Sequence, residues 1–121
     1  MGSISVYEQM KEILDEIDKD VDLSVKTNLQ EVAKEAAQKL KSTSPKRTGA
    51  YAGGWTTRRL GEMEVVTCNS AKPGLTHLLE NGHVIRNKKG TYGRVRAIKH
   101  IKPVEEWAIE ELPRRIIEDI L

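Results

Sequence analysis

Three side chains that could bind a metal ion lie close together in the sequence. His77, Glu80 and His83 are three residues apart, and residues three apart share one face of a helix. Zinc proteases instead use the order HExxH, which the segment HLLENGH does not have. Gly82 is expected to end the helix before His83. The simpler interpretation is that His77 packs at a helix edge and His83 begins a strand, so we expect no metal and no cofactor.

Nucleophilic catalysis has little support. Cys68 is the only cysteine and stands in a run of β-branched residues, where a thiol more often acts as a small buried hydrophobic group than as a nucleophile. The chain contains no GxSxG segment and no glycine-rich phosphate loop of the GxxxxGK[ST] or GxGxxG type. We therefore expect that the protein is not an enzyme.

Phosphate binding is the third chemistry that the residues could support. Residues 86–102 contain seven Lys or Arg and no acidic residue, which is typical of a surface that binds the DNA backbone. Tyr92 is the only aromatic residue among them, so base stacking is poorly supported. The region predicts non-specific contact with DNA or with a partner protein. The residues for such contact are Arg86, Lys88, Lys89, Arg94 and Arg96.

Charge is divided into blocks along the chain. Residues 1–43 have a net charge of −3, residues 44–102 of +9 and residues 103–121 of −4. Such a pattern fits an ordinary solvated surface, or complementary patches through which copies of the chain contact each other, or a basic face for nucleic acid.

The length of 121 residues fits a single domain, 1–121. We expect a helical N-terminal region at 1–43, a β-rich basic core at 44–102 and a C-terminal helix at 103–121. A single cysteine suits a reducing compartment, no apolar run approaches the roughly 20 residues that span a bilayer, and the N-terminus does not look like a signal peptide. Synthesis in the cytoplasm and no membrane association are therefore expected.

Residues 5–42 are predicted to form one long amphipathic helix. Apolar residues recur at steps of three and four, no Gly or Pro interrupts them, and Ser3 or Ser5 could cap the start. Such a helix would be about 57 Å long at 1.5 Å per residue, which exceeds the width of a compact domain of this size. We expect a break or kink at residues 18–24; the alternative is an overhang that packs on another surface.

The remaining elements follow from turn residues and β-branched runs. Two strands are predicted at 55–60 and 63–69, a short helix at 75–80, and a hairpin within 83–98 whose loop is 87–93. Pro103 is expected to open the last helix, and Pro113 to kink or restart it. The predicted class is α+β, in which the long N-terminal helix and the C-terminal helix pack on a small antiparallel β-sheet.

Three segments, in order, are similar to those of a known family. They are SPKRTGAYAGGW at 44–55, LTHLLENGH at 75–83 and RAIKHIKPVEEW at 96–107. Together they resemble the neck, or head–tail joining, proteins of long-tailed bacteriophages, also described as minor tail components. The chain departs from the family pattern at His77, where alanine is common, and at Ala97, where proline is frequent.

The resemblance implies an α+β fold and a structural role in the virion of a phage or prophage. It implies that several copies form a ring around the DNA channel at the head–tail junction, beside head-completion and tail proteins. A non-specific DNA-binding module that uses residues 86–102 is the alternative function. The residues expected to shape the turns of the fold, and so its assembly surface, are Pro45, Thr48, Gly49, Trp55, Glu80, Gly82, His100 and Pro103.

Overall fold

Helices alternate with two short β-hairpins along this chain. The computed structural model describes residues 5–46, 48–87 and 90–121. It confirms the α+β class, with a long N-terminal helix, a C-terminal helix and antiparallel strands. The elements are α1 Val6–Thr43, α2 Ala50–Gly53, β1 Trp55–Gly61, β2 Glu64–Asn69, α3 Leu75–Asn81, β3 His83–Asn87, β4 Gly90–Val95 and α4 Ile101–Ile120.

Helix α1 is continuous over 38 residues, so the break expected at residues 18–24 was wrong. Ser5 caps its start, where the backbone N–H of Glu8 donates to the Ser5 hydroxyl at 3.2 Å. Ser24, which lies in the segment where the break was expected, is buried and donates to Asp119 of α4 at 3.0 Å. Asn28 donates to the same carboxylate oxygen at 2.7 Å. The polar residues of this region thus bind the neighbouring helix instead of capping a break.

Helices α1 and α4 pack antiparallel to each other. Asp119 near the end of α4 meets the middle of α1, whereas Val104 in the first turn of α4 packs with Leu40 near the end of α1. Between these points, Arg115 forms an ion pair with Glu35, and the Lys39 ammonium lies 4.6 Å from the centre of the Trp107 ring. The core lies at this end of the helix pair and consists of Ala36, Ala37, Leu40, Tyr51, Trp55 and Val104.

The four strands form two separate two-stranded sheets. Strands β1 and β2 pack against α1, where the Thr67 hydroxyl donates to the carbonyl of Ala33 at 2.9 Å. Within the described part of the chain, strands β3 and β4 pair only with each other. They reach further than expected: β4 begins at Gly90, which has a φ of 131°, and runs through most of the predicted loop at 87–93. Lys88 and Lys89, which were predicted to contact DNA or a partner, lie outside the described residues.

Helix α4 begins at Ile101, two residues before the predicted start. Pro103 therefore stands inside the first turn, where backbone N–H groups have no partner within the helix and a missing donor costs little. Pro113 lies within the same helix, so the helix does not restart there. Among the described residues, no helix is both long enough and apolar enough to cross a membrane.

The first part of α1 has no contact with the rest of the chain that would bury it. We call residues 6–20 the overhang; every one of them is exposed, and the first buried residue of α1 is Ser24. At 1.5 Å per residue the overhang is about 22 Å long. The structure therefore shows a continuous helix whose first part projects beyond the rest of the chain, and the packing of this overhang on another surface stays a prediction.

The Asp119 carboxylate should stabilise the packing of α1 on α4, because it accepts from two buried side chains. We expect Asp119→Ala to lower the free energy of unfolding by about 1–2 kcal/mol, the usual cost of leaving buried donors without an acceptor. The matched control is Glu118→Ala, which removes a neighbouring exposed carboxylate paired with Arg114 and should cost about 0–1 kcal/mol. Urea unfolding measures both; equal losses would contradict the role of Asp119.

Candidate assembly site

His100 lies at the centre of a buried polar network. It is 2% exposed, and its Nε2 lies 2.6 Å from the hydroxyl of Tyr51, which is 5% exposed. Its Nδ1 lies 2.7 Å from the carbonyl oxygen of Ile98. Because a carbonyl can only accept, Nδ1 carries a proton, and in the neutral ring the Tyr51 hydroxyl then donates to Nε2. Burial, together with the negative charge of Glu80, raises the pKa of Tyr51 to about 12, so its hydroxyl remains a donor at neutral pH.

Glu80 caps helix α4 from outside that helix. One oxygen of its carboxylate accepts from the backbone N–H groups of His100 and Ile101, both at 2.9 Å, and the other accepts from that of Lys102 at 3.0 Å. The side chain of His100, the N-cap residue, makes no capping bond of its own. A carboxylate at this position satisfies three free donors and interacts favourably with the positive end of the helix dipole.

The charged form of Glu80 is the favoured one in the folded protein. Burial alone would raise the pKa of this carboxyl group and is the largest single influence on it. The three backbone hydrogen bonds at the start of α4 and the nearby His100 together outweigh burial and hold the pKa of Glu80 below its usual value. Glu80 thus remains ionised and joins α3 to α4.

Trp55 connects this network to the end of α1. Its indole N–H donates to the hydroxyl of Ser44 at 2.7 Å, and Ser44 is the residue that ends α1. The Trp55 ring makes edge-to-face contacts with Tyr51 and His100, at centroid separations of 5.7 and 6.5 Å. Residues from all three segments that carry the family resemblance therefore meet in one place.

Asn69 and Gly54 belong to the same region, although the sequence did not single them out. The Asn69 amide donates to the carbonyl of Tyr51 at 2.7 Å, and its oxygen accepts from the backbone N–H groups of Ala71 and Lys72. A Cβ atom at position 54 would lie 2.6 Å from the side chains of both Ala71 and Asn69, so only glycine fits there. An asparagine shortly before Lys72-Pro73-Gly74 was the available signal, because asparagine side chains often close turns.

The other predicted motif residues lie around the network and not within it. Gly49 and Gly82 have φ values of 82° and 74°, as expected for glycines that form turns. The Thr48 hydroxyl accepts a long bond of 3.4 Å from the backbone N–H of Ala50, and Pro45 is half-buried beside the end of α1. Pro103 is exposed in the first turn of α4. Of the eight predicted residues, Trp55, Glu80 and His100 are the ones that the structure brings together.

The predicted DNA-contact residues belong to the second hairpin and to the segment that follows it. Arg86 and Arg94 lie on β3 and β4, and Arg96 is exposed in the segment that follows β4. Cys68, expected to be buried, is half-buried on β2. His77 is exposed on α3, apart from the buried carboxylate of Glu80. In 5–46, 48–87 and 90–121, no three His, Cys, Asp or Glu side chains are grouped so that they could hold a metal ion.

The network contains side-chain types that also occur in catalytic sites, but solvent barely reaches its tyrosine and histidine. Tyr51 and His100 are almost completely buried, and the hydrogen bonds described above all join groups of the chain to one another. The physical effect of the network is to fix α2, α3 and α4 against the end of α1. It therefore determines the shape of the surface that these elements present.

Acid should weaken the fold through Glu80. Because its pKa is lower in the folded than in the unfolded state, its stabilising effect is complete above the unfolded value of about 4.3 and is lost as the pH falls through the folded value. We expect Glu80→Gln to cost about 1–2 kcal/mol at pH 7 and much less at pH 3.

Urea unfolding at both pH values measures this difference. The control is Glu106→Gln, which changes an exposed carboxyl group in α4, the helix that Glu80 caps, and should have little effect at either pH. A cost for Glu80→Gln that is the same at pH 3 as at pH 7 would show that the ionised carboxylate does not cap α4.

Comparison with known proteins relates this arrangement to one family. The family model described as "HK97-gp10_like: Bacteriophage HK97-gp10, putative tail-component" matches residues 8–82, which is more than half of the chain. The match contains the overhang almost entirely, the segment 44–55 and most of the segment 75–83; the segment 96–107 lies beyond it. No curated protein and no solved structure matches significantly. The chain therefore belongs to the HK97-gp10-like family of phage tail components.

Proposed function

We propose that this protein is a structural subunit of the phage head–tail connector, and that several copies assemble into a ring around the DNA channel. Membership of a family of tail components supports a structural role in the virion. The observation that carries the more specific proposal is the overhang, whose apolar side chains are left in water by a single copy. Contiguous exposed apolar surface of this kind usually marks a site of protein contact.

The buried network supports a structural role over a catalytic one. Its tyrosine, histidine and glutamate form hydrogen bonds that hold helices together. We accordingly propose that the protein acts by shape and contact, in the virion, with further copies of itself and with neighbouring head-completion and tail proteins as its partners.

A second candidate function is non-specific contact with DNA, which the placement of the basic residues favours. Strands β3 and β4 form a sheet of their own, and the sequence from His83 to Arg96 carries five Lys or Arg and no acidic residue. We call residues 83–96 the basic arm, and a basic surface of this kind would suit the wall of a channel that contains DNA. This contact is compatible with the connector role and does not require the protein to act alone.

Loss of the gene should prevent heads and tails from joining. In a phage or inducible prophage that encodes this chain, we expect a deletion to yield DNA-filled heads and separate tails in electron micrographs, with infectivity reduced by orders of magnitude. Expression of the intact chain from a plasmid should restore complete particles. Complete, infectious particles in the absence of the gene would contradict the proposal.

DNA contact should depend on the basic arm and on salt. We expect Arg86→Ala combined with Arg94→Ala to weaken binding of the purified protein to duplex DNA at low salt, because each phosphate contact contributes through counterion release. The control pair, Lys34→Ala with Lys41→Ala, removes the same charge from exposed positions of α1. Fluorescence anisotropy over a series of salt concentrations measures the affinity. Equal weakening by both pairs would reject the arm as the binding site.

A further inference from the structure

The overhang presents an acidic surface with an apolar stripe. The stripe consists of side chains that are 48–74% exposed and recur at steps of three and four: Val6, Tyr7, Met10, Ile13, Leu14 and Ile17. The overhang also carries six acidic residues and two lysines, a net charge of −4. A surface that covers this stripe should therefore be apolar in its centre and basic at its edges.

Pairing of two overhangs with each other does not meet this requirement. Two copies of the same helix would bring two net charges of −4 together along their whole length. Coiled-coil helices usually flank the apolar seam with residues of opposite charge, and like charges at these positions oppose pairing. The occupant must differ from the overhang itself.

The same chain carries a surface that does meet the requirement. Leu75 and Leu78 lie on one side of α3 and are 38% and 42% exposed, and Ile98 is 44% exposed. The backbone N–H of Ile98 donates to the carbonyl of Leu79 at 2.7 Å, so the segment after β4 runs beside α3. We call this apolar surface, together with the exposed cations around it, the receiving face. Its cations are Lys72, Arg96, Lys99 and Lys102.

Glu80, the acidic residue of α3, is turned toward the protein and is not displayed on the receiving face. Glu80 points its carboxylate at the backbone amides of α4 and is only 13% exposed. Lys99 lies at the surface of α3, where its ammonium donates to the side chain of Asn81 at 3.2 Å. The four cations of this face are exposed, so acidic residues of another molecule can reach them.

A groove between α1, the first sheet and α4 is the other apolar surface that could accept a helix. It has a volume of about 410 Å³ and is lined by Leu29, Val65 and Ile109 among other residues. Glu105, the charged residue in this lining, has the same sign as the net charge of the overhang, so the receiving face is the better match.

The positions of the two surfaces require that they meet between copies. Helix α4 runs from its capped start at Glu80 to Asp119, which contacts the middle of α1 just after the overhang. The receiving face is at the capped end of α4, and the overhang leaves the body at the other end. Helix α1 is continuous, so its overhang cannot turn back across the domain to reach the receiving face of the same copy.

We propose that the overhang of one copy docks on the receiving face of a second copy. This inference rests on the proposed assembly from several copies and names the contact that joins them. The contact is heterologous, because each copy offers a different surface to each neighbour, and contacts of this type close into a ring when the rotation between copies allows it. A single helical face is a small interface, so we expect assembly to need high protein concentration or a template.

Two variants with changes on opposite surfaces test the contact. Met10→Glu with Ile13→Glu disables the overhang, and Arg96→Glu with Lys99→Glu disables the receiving face. All four positions are exposed, so the fold should survive, which circular dichroism and thermal unfolding check. The control, Lys34→Glu with Arg58→Glu, reverses the same amount of charge at exposed positions outside both surfaces.

Sedimentation velocity at low salt and high protein concentration measures the result. We expect the intact chain and the control to form oligomers and each double variant to remain monomeric. An equimolar mixture of the two double variants should form a 1:1 dimer that does not grow, because it contains one intact overhang and one intact receiving face. Absence of this dimer, or unchanged oligomers of the receiving-face variant, would overturn the inference.

Complementation of the deleted phage separates this inference from the proposed function. If the inference holds, neither double variant should restore complete particles, whereas the control should. Restoration by both double variants would refute the docking contact and leave the connector role intact. Complete particles without any copy of the gene would refute the connector role itself.

Discussion

The fold depends on one carboxylate that caps the start of another helix. Glu80 on α3 satisfies three amide donors at the start of α4, and those donors have no partner within their own helix. The bond fixes where α4 begins, and α4 then covers the apolar side of α1 with Val104 and Trp107. His100 links Tyr51 to this junction by a hydrogen bond, and Trp55 links the end of α1 to it through its bond to Ser44. Helices that are distant in sequence are thus joined through hydrogen bonds of defined geometry.

Sequence patterns predicted elements better than contacts between elements. The long helix, both strands of the first hairpin and the short helix α3 follow from periodicity and turn residues, which act locally. The start of α4 was misplaced by two residues because its cap comes from α3, twenty residues earlier, and no local signal at Pro103 reports that. The break in α1 was wrongly expected because the partner of Ser24 and Asn28 is Asp119, near the other end of the chain.

The candidate site was predicted only in part, for the same reason. Trp55, Glu80 and His100 were identified as determinants of the fold through their place in the resembling segments, and they do meet. Tyr51 and Asn69 were not, although each makes bonds that the network needs. A tyrosine in a turn and an asparagine at a strand end are common, and what distinguishes these two is burial among partners from other elements. Burial of that kind follows from packing and is not encoded in spacing.

The antiparallel packing of α1 on α4 also determines when the chain can fold. Ser24 and Asp119 are separated by 95 residues, and the core around Leu40 is incomplete without Val104. During synthesis, α1 leaves the ribosome before α4, and the side of α1 that packs on α4 has no cover until α4 has been made. Contacts between distant residues form slowly compared with local ones. Folding of the body is therefore a late event, and a truncated product would contain the long helix but lack the core that supports it.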